Sequence, residues 1–590
     1  SVHGAPAFAL LAIVVGCGVN YLFGLYHRLW DYASGDEVTV IAGAVATSTL
    51  LLTVVDLLWS GPHPAPLSVV WMAGMFNLVG FVGVRYRAQV GSGIRRRWRT
   101  LQGQRSAVST RVLIVGAGEA GQLLAWRFLT QHAGEGYEVV GFIDDDPLKR
   151  GMRIHGLPVL GDRGAIPVVV RSQQVALIVI AIYNIDGQNF RSVLATCEET
   201  PARIKVLPDV FEFILSTDGT STIRDVQADD LLGRKPVSGN YDACRSLLTG
   251  RAVMVTGAAG SIGSELCHQV ASFGPRSLIM LDNNETGLHN LAIELGSKVA
   301  TEVAHYIIGD VVDQAKMQAV FERHRPDIVF HAAAYKHVPL MEAHPDEAVR
   351  VNVLGTWVVC NLACRYRAQR FVLISTDKAV NPESVMGATK RLGELMIASL
   401  DSDSQTLCTA VRFGNVLGSR GSVVPTFEKQ IEMGGPVTIT HPEMTRYFMS
   451  ITEAVSLVIQ AATMTEGGDL FTLDMGQQIR IEELARRLIR LRGLRPGIDV
   501  PIEYIGIRPG EKLHEQLIAE GEEPQSTHHP HVFRICSSVR VDRRWMDQQI
   551  QDLARLAMEQ QHGELVRSLR QAALEPQDGQ ASGGAAEHES

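Results

Sequence analysis

The chain has 590 residues and a formal net charge of −8, with 20% charged and 46% hydrophobic residues. That length exceeds a single core and implies about three to four units, and the acidic balance argues against nucleic acid as a partner. Eight cysteines without a Cys-x-x-Cys pair suggest neither a zinc site nor a disulfide framework, and they fit a reducing compartment.

The chain begins apolar. Residues 7–26, 38–58 and 67–84 are read as transmembrane spans within a membrane region 1–100, because Ala7–Tyr26, Val38–Val55 and Leu67–Val84 carry no charge and about 18 such residues suffice to cross a bilayer. A cleaved signal peptide is the alternative for the first, but no basic leader precedes it and further apolar stretches follow. Arg85, Arg87, Arg95, Arg96, Arg97 and Arg99 follow the last stretch, whereas no Lys or Arg lies between Val55 and Leu67. The positive-inside bias then puts the loop 27–37 and the large remainder in the cytoplasm, with Ser1 outside. A multi-pass protein of the inner (cytoplasmic) membrane is expected, with the bilayer as one partner.

Residues 108–228 read as a first Rossmann-like domain. The strand Val112–Val115 enters Gly116-Ala-Gly118-Glu-Ala-Gly121 and an apolar helix, a second strand ends at Asp144-Asp145-Asp146, and another is expected at Ala176–Ile182. Such a turn lets backbone approach a pyrophosphate at a helix start, with an acidic group near the ribose. No catalytic group pairs with it, so a nucleotide site and a purely structural domain both stay open. Residues 229–250 read as an irregular linker.

The catalytic domain is expected at 251–574. Its strand Ala252–Val255 leads into Thr256-Gly257-Ala-Ala-Gly260-Ser261-Ile262-Gly263, a dinucleotide turn, and the next strand ends in Asp282, whose carboxylate can accept from both ribose hydroxyls. It would repel a 2′-phosphate, which favours NAD over NADP. The strand Ile328–His331 runs into small alanines that leave room for a nicotinamide, followed by Tyr335, Lys336 and His337 at the pocket rim. Cys360 and Cys364, one helical turn apart, read as small buried side chains.

The apolar strand Phe371–Ile374 ends at Ser375-Thr376-Asp377-Lys378, so these polar groups emerge at the carboxyl edge where open α/β sheets bind ligands. A helix is expected to start with Asn381 as cap, Pro382 in the first turn and Glu383 beside it, which puts Met386 and Lys390 on one face. Asn415 and Arg420 lie in a glycine-rich loop and offer planar donors for a pyrophosphate or uridine. Past Leu574 the Gly/Ala/Ser/Gln/Glu-rich tail, 575–590, reads as disordered.

Met386-x-x-x-Lys390 just after Thr376-Asp377-Lys378 resembles the active-site segment of the extended short-chain dehydrogenase/reductases, with methionine in place of the usual tyrosine. In that form it resembles the membrane-bound nucleotide-sugar 4,6-dehydratases of polysaccharide and glycan biosynthesis (CapD-like). The likeness runs from about Arg111 to Ala519, including the connector Asp229–Val237, and is weaker over the spans. That family has a further span upstream, so one is expected before this chain's first. The resemblance implies an α/β fold class: transmembrane helices, then two tandem Rossmann-like domains, the second with a small C-terminal substrate-binding part.

The resemblance also implies NAD on Gly257, Gly260, Ser261, Ile262, Gly263, Asp282, Asp310 (adenine) and Lys390. Lys336 and His337 would line the sugar, Asn352 would steady the site, and Arg446 and Arg508, with Glu511, belong to its substrate pattern. The implied reaction oxidises sugar C4, eliminates water across C5–C6 and returns hydride to C6. Lys378 is then the C5 base, Asp377 the acid for the C6 hydroxyl, Thr376 a hydrogen bond to the 4-oxygen and Lys390 the ribose anchor. Met386 cannot accept a proton, which leaves the 4-hydroxyl base unassigned. The implied substrate is UDP-N-acetylglucosamine, with no metal and a homo-oligomer left open. A 4-epimerase, a C5-inverting dehydratase and a non-catalytic nucleotide-binding membrane scaffold are the alternatives.

Overall fold

In a computed structural model the described residues are 5–23, 25, 35–59, 63–83, 110–130, 136–182, 187–207, 224–225, 241–296, 299–400, 405–537 and 539–575. They fall into two compact units, Ser1–Ser109 and Thr110–Ser590.

The first unit contains helices α1 (Ala5–Leu22) and α2 (Gly35–Leu57) and an apolar helix α3 (Leu67–Gly83). Among the described residues one segment, Thr39–Leu57 with mean hydropathy 2.0, is long and apolar enough to cross a membrane, while Pro6–Leu22 and Leu67–Gly83 are shorter apolar helices. The span expected at 38–58 is thus matched by a helix, and those expected at 7–26 and 67–84 correspond to these shorter ones. Residues 35–37, expected in a loop, are helical. Residues 27–34 and Arg85–Arg99, on which the orientation rests, lie outside the described residues.

The second unit opens with strands β1 (Thr110–Val115), β2 (Tyr137–Ile143), β3 (Arg153–Ile154), β4 (Leu157–Gly161), β5 (Leu177–Ile180), β6 (Arg203–Val206) and β7 (Arg224–Asp225) in the order β3-β4-β2-β1-β5-β6-β7. The inner pairs are parallel and the two outermost pairs antiparallel. Val112–Val115 are buried, as a strand covered by helices on both faces requires. Helix α4 (Gly187–Glu198) flanks this sheet. Of the expected linker 229–250, residues 229–240 lie outside the described residues. Tyr241–Leu248 is a helix because Cys244 and Leu248, one turn apart, are both buried.

The second sheet contains β8 (Ala252–Thr256), β9 (Ser277–Asp282), β10 (Ala304–Ile308), β11 (Ile328–His331), β12 (Arg370–Ile374), β13 (Leu407–Arg412), β14 (Asp469–Leu473), β15 (Glu522–Ser526) and β16 (Val532–Ser537). Their order is β10-β9-β8-β11-β12-β13-β14-β16-β15. Seven strands run parallel, and β16 and β15 close the edge antiparallel. The strand order reverses between β8 and β11, which opens a crevice at their carboxyl ends. Short strand pairs such as Val437–Ile439 with Ile502–Tyr504 build the smaller lobe beside it.

The two tandem domains share apolar core. Val193, Leu194 and Cys197 of α4 pack in one cluster with Leu484 and Leu488 of helix α5 (Ile481–Leu491), and with Phe427. The tail expected to be disordered lies outside the described residues from 576 onward.

Candidate active site

A cavity of about 620 Å³ occupies the crevice beyond β8 and β11. On one side it is lined by the Gly257–Gly263 turn, Asp282 and Asp310. A Cβ at Gly257, which has φ +70, would stand 2.6 Å from the Ala333 nitrogen, and one at Gly263 2.0 Å from the Gly257 oxygen. Backbone therefore approaches backbone there, as a pyrophosphate cradle needs. The Asp282 carboxylate braces the turn by accepting from Ala259 N at 2.8 Å and Asn284 N at 2.9 Å. Asp310 pairs with Arg350 at 3.1 Å. This donor set fits a dinucleotide with an unphosphorylated adenine ribose.

On the far side Thr376, Lys378, Met386 and Lys390 line the same cavity. The residues Asp377–Ala379 make one tight 3-10 turn after β12, and the following helix starts later than expected. Its cap is Ser384, whose hydroxyl accepts from Gly387 N at 3.0 Å, whereas Asn381 has φ +42 and stands in the preceding turn. Serine at this position leaves Val385–Ala398 as the helix, with Met386 and Lys390 still on one face.

Lys378 Nζ donates to Asp377 Oδ1 at 2.9 Å and to Asn415 Oδ1 at 3.0 Å, and the Thr376 hydroxyl donates to the same Asp377 oxygen at 2.9 Å. Asp377 is fully buried, its Oδ2 has no hydrogen-bond partner, and it is not among the cavity-lining residues. Its contact with the cavity runs through Thr376 and Lys378. Asn415, expected at the nucleotide, lines the cavity and gives its amide oxygen to Lys378. Burial pulls Lys390 down to about 8, against the opposing influence of Glu394. The helix is anchored from below. Ser375 donates to Glu394 at 2.7 Å, and the buried Arg412 bridges Glu394 and Glu522, each at 2.7 Å. Burial alone would raise the Glu394 carboxyl, but Arg412 outweighs it and holds it below the usual range.

A satisfied polar chain floors the site. Where the helix widens to π geometry over Val349–Gly355, Asn352 accepts from Tyr335 N at 2.8 Å and donates to Tyr335 O and Thr389 Oγ1, both at 3.0 Å. Thr356 donates to Asn352 O at 2.6 Å, so its oxygen takes the Nε2 hydrogen of His331 at 3.0 Å. Nδ1 of His331 then accepts from Thr256 at 2.7 Å. Burial, reinforced by Lys390, pulls His331 down to about 3. Sequence reading did not single out this histidine, because its partners come from separate segments.

The expected substrate residues divide. Lys336 and His337 line the cavity, and Lys336 donates to Ser419 at 3.5 Å. Burial lowers both, with Lys336 adding to the effect on His337. Arg420 lies over the cofactor turn instead, donating from Nη1 to Ala259 O at 2.9 Å and from N to Ser261 Oγ at 3.0 Å. Arg446 is corrected to a brace. It is buried and donates to Thr445 O, Lys512 O and Leu513 O at 2.7, 2.9 and 3.2 Å, which spends its guanidinium on carbonyls. Arg508 is exposed and Glu511 is half-buried, and neither lines the cavity. Their loop packs on the catalytic turn through Lys512, which donates to Val380 O at 2.7 Å. The same loop supplies Glu515, 3.7 Å from Lys378 Nζ, whose only sequence signal was adjacency to the Arg508–Lys512 motif.

In the first domain, Asp144 accepts from Ala117 N at 2.7 Å, as Asp282 does in the second, but Lys149 also pairs with it at 3.1 Å. Cys360, Cys364 and Cys408 lie together, with Cys364 and Cys408 sulfurs 4.0 Å apart. Of the pair expected to be small buried side chains, Cys360 is buried and Cys364 half-buried.

The chain is 41% identical over 544 residues to the probable polysaccharide biosynthesis protein EpsC of Bacillus subtilis, covering 91% of this chain and 88% of that relative. It belongs to the EpsC/CapD family of polysaccharide biosynthesis proteins. The capsular polysaccharide biosynthesis protein CapD of Staphylococcus aureus is 40% identical over 510 residues, 85% of this chain and 83% of its own. A family model described as polysaccharide biosynthesis protein matches residues 253–537, and one described as CoA-binding domain matches 21–208. The UDP-glucose 4-epimerase of Rickettsia rickettsii is 33% identical over 292 residues, 48% of this chain and 82% of its own. Among solved structures, DesIV from Streptomyces venezuelae, a dTDP-glucose 4,6-dehydratase with NAD bound, is 20% identical, with a TM-score of 0.40 over 45% of this chain and 88% of its own.

Proposed function

We propose that the protein is a UDP-N-acetylglucosamine 4,6-dehydratase working on bound NAD at the inner membrane, with its catalytic domains in the cytoplasm. The observation that carries this is one cavity bounded by a dinucleotide turn and by Thr376, Lys378, Met386 and Lys390. Asp282 at the ribose end favours NAD over NADP. Bound there, NAD supplies reversible hydride acceptance.

The chain's own groups account for the rest. Thr376 is positioned to hold the sugar 4-oxygen. Lys390, held near 8 by burial, can share the 4-hydroxyl proton near neutral pH, a task Met386 cannot perform. For elimination, Lys378 passes one proton to Asp377 and becomes a neutral amine. That amine takes the C5 proton, the C5–H electron pair forms the C5=C6 bond, and the C6–O bond breaks. The Asp377 proton, passed along the Thr376 hydroxyl, leaves with the C6 oxygen as water, so that the pair returns to ammonium and carboxylate.

Incubating the detergent-purified protein with UDP-N-acetylglucosamine and NAD tests this by mass spectrometry and proton NMR. Loss of one water with a new C6 methyl signal supports it, and the C5 configuration separates retention from inversion. An isomer of unchanged mass would mean 4-epimerisation, and binding without turnover would mean a scaffold.

A further inference from the structure

Three side-chain oxygens surround the Lys378 ammonium, two at hydrogen-bond distance and one at ion-pair distance. Two are Asp377 Oδ1 at 2.9 Å and Asn415 Oδ1 at 3.0 Å. The third is Glu515 Oε1 at 3.7 Å, on the loop that follows Arg508. The Glu515 side chain is 3% exposed, and its other oxygen is buried without a hydrogen-bond partner. Its backbone oxygen is pinned by Gln478 Nε2 at 2.7 Å, and Arg446 Nε lies 3.9 Å from Oε1. A buried carboxylate with an empty oxygen costs about 1–3 kcal/mol or more, and such orphans call for an explanation.

We propose that Glu515 is a positioning residue for the elimination, acting through Lys378: its charge holds the lysine nitrogen beside Asp377. This rests on the dehydratase reading of the site. The elimination requires that nitrogen to be held within reach of the C5 proton, and a carboxylate within about 4–6 Å attracts it to one place. The charged groups around Lys378 are Asp377 on its own turn, Glu515 and Lys512 on the packed loop, Arg446 on the bracing strand and Lys390 across the cavity. Glu515 adds a second negative charge to that of Asp377, and Arg446 offsets part of it. The proton balance is unchanged, because Glu515 neither gives nor takes one.

The test titrates Lys378 itself in the full-length, NAD-loaded protein. The pH dependence of its modification by a water-soluble acylating reagent is followed by mass spectrometry of the Lys378 peptide, in wild type and Glu515→Gln. The amide keeps the shape and removes the charge, so the midpoint should fall. An unchanged or raised midpoint would overturn the proposal. Should Glu515→Gln fail to fold, Glu515→Asp, with its charge drawn back by one methylene, must shift the midpoint in the same direction.

A second readout is deuterium uptake at C5 from heavy water with UDP-N-acetylglucosamine. Glu515→Gln should slow it with little change in KM, and the pH profile should move with the lysine midpoint. Wild type that takes up no deuterium would defeat the dehydratase reading, whereas the lysine titration decides Glu515 on its own.

Discussion

Lys378 Nζ donates to Asp377 Oδ1 across 2.9 Å, and that carboxylate has no solvent exposure. Removing the lysine charge would leave the Asp377 carboxylate buried without its nearest cation. Lys378→Met should therefore reduce dehydration by roughly 10²–10⁴-fold while NAD stays bound, and Asp377→Asn should fall in the same range. Ordinary turnover by Lys378→Met, with cofactor content measured in the same sample, would remove lysine from its role as base.

Lys390 titrates in the opposite sense to a lysine that gains a partner. Burial lowers it from 10.5 to about 8 in the folded chain, so between those values the unfolded chain binds the extra proton and stability rises with pH. Below about 8 the fold carries the full cost of a buried ammonium, about 3 kcal/mol. Lys390→Met without cofactor should be more stable than wild type at pH 7 by up to that amount, with the gap closing toward pH 10.5, and should lose activity. Thermal unfolding across this range checks it, and a gap that does not narrow with rising pH would contradict it.

Beneath the catalytic helix, Arg412 is wholly buried between Glu394 and Glu522. Arg412→Met would leave two buried carboxylates to share Arg391, at 3.1 and 3.4 Å, and should destabilise the fold by about 3–5 kcal/mol. Adding Glu394→Gln and Glu522→Gln should recover a large part of the loss. Equal denaturation midpoints for the single and triple variants would show that charge burial is not the cause.

Gly387 lies where helix meets catalytic turn. A Cβ there would stand 2.3 Å from the Lys378 carbonyl oxygen, so Gly387→Ala should displace the turn. The expected result is a fall in kcat of at least about tenfold, since small misplacements of reacting groups carry large rate costs. Cofactor binding at the distant glycine turn should remain. Unchanged kcat would mean that the turn yields without moving Lys378.

The parts legible in sequence were those whose chemistry is local. Gly257, Gly263 and Asp282 announce a turn within one strand-turn-helix unit, and the structure builds it. Thr376, Lys378, Met386 and Lys390 follow a single strand and so arrive together. What escaped depended on long-range packing. Glu515 reaches Lys378 only because its loop folds over Val380, and Arg446 is drawn to three carbonyls that no motif spacing reveals. Asn381 looked like a cap by residue type, but Ser384 has the extended backbone a cap requires. At the amino end, apolar runs located helices accurately, but helical length does not follow from the absence of charge.

Arg420 joins the substrate loop to the cofactor turn through Ala259 and Ser261, and the neighbouring Gly421 lies against His337. If the site works as proposed, a strap of this kind would keep a dinucleotide resident while sugars come and go. An enzyme whose hydride returns to its own product then has no need to sample the cell's pool of oxidised and reduced pyridine nucleotide. On the proposed dehydratase reading, its output would follow the supply of sugar and remain insulated from metabolic redox state.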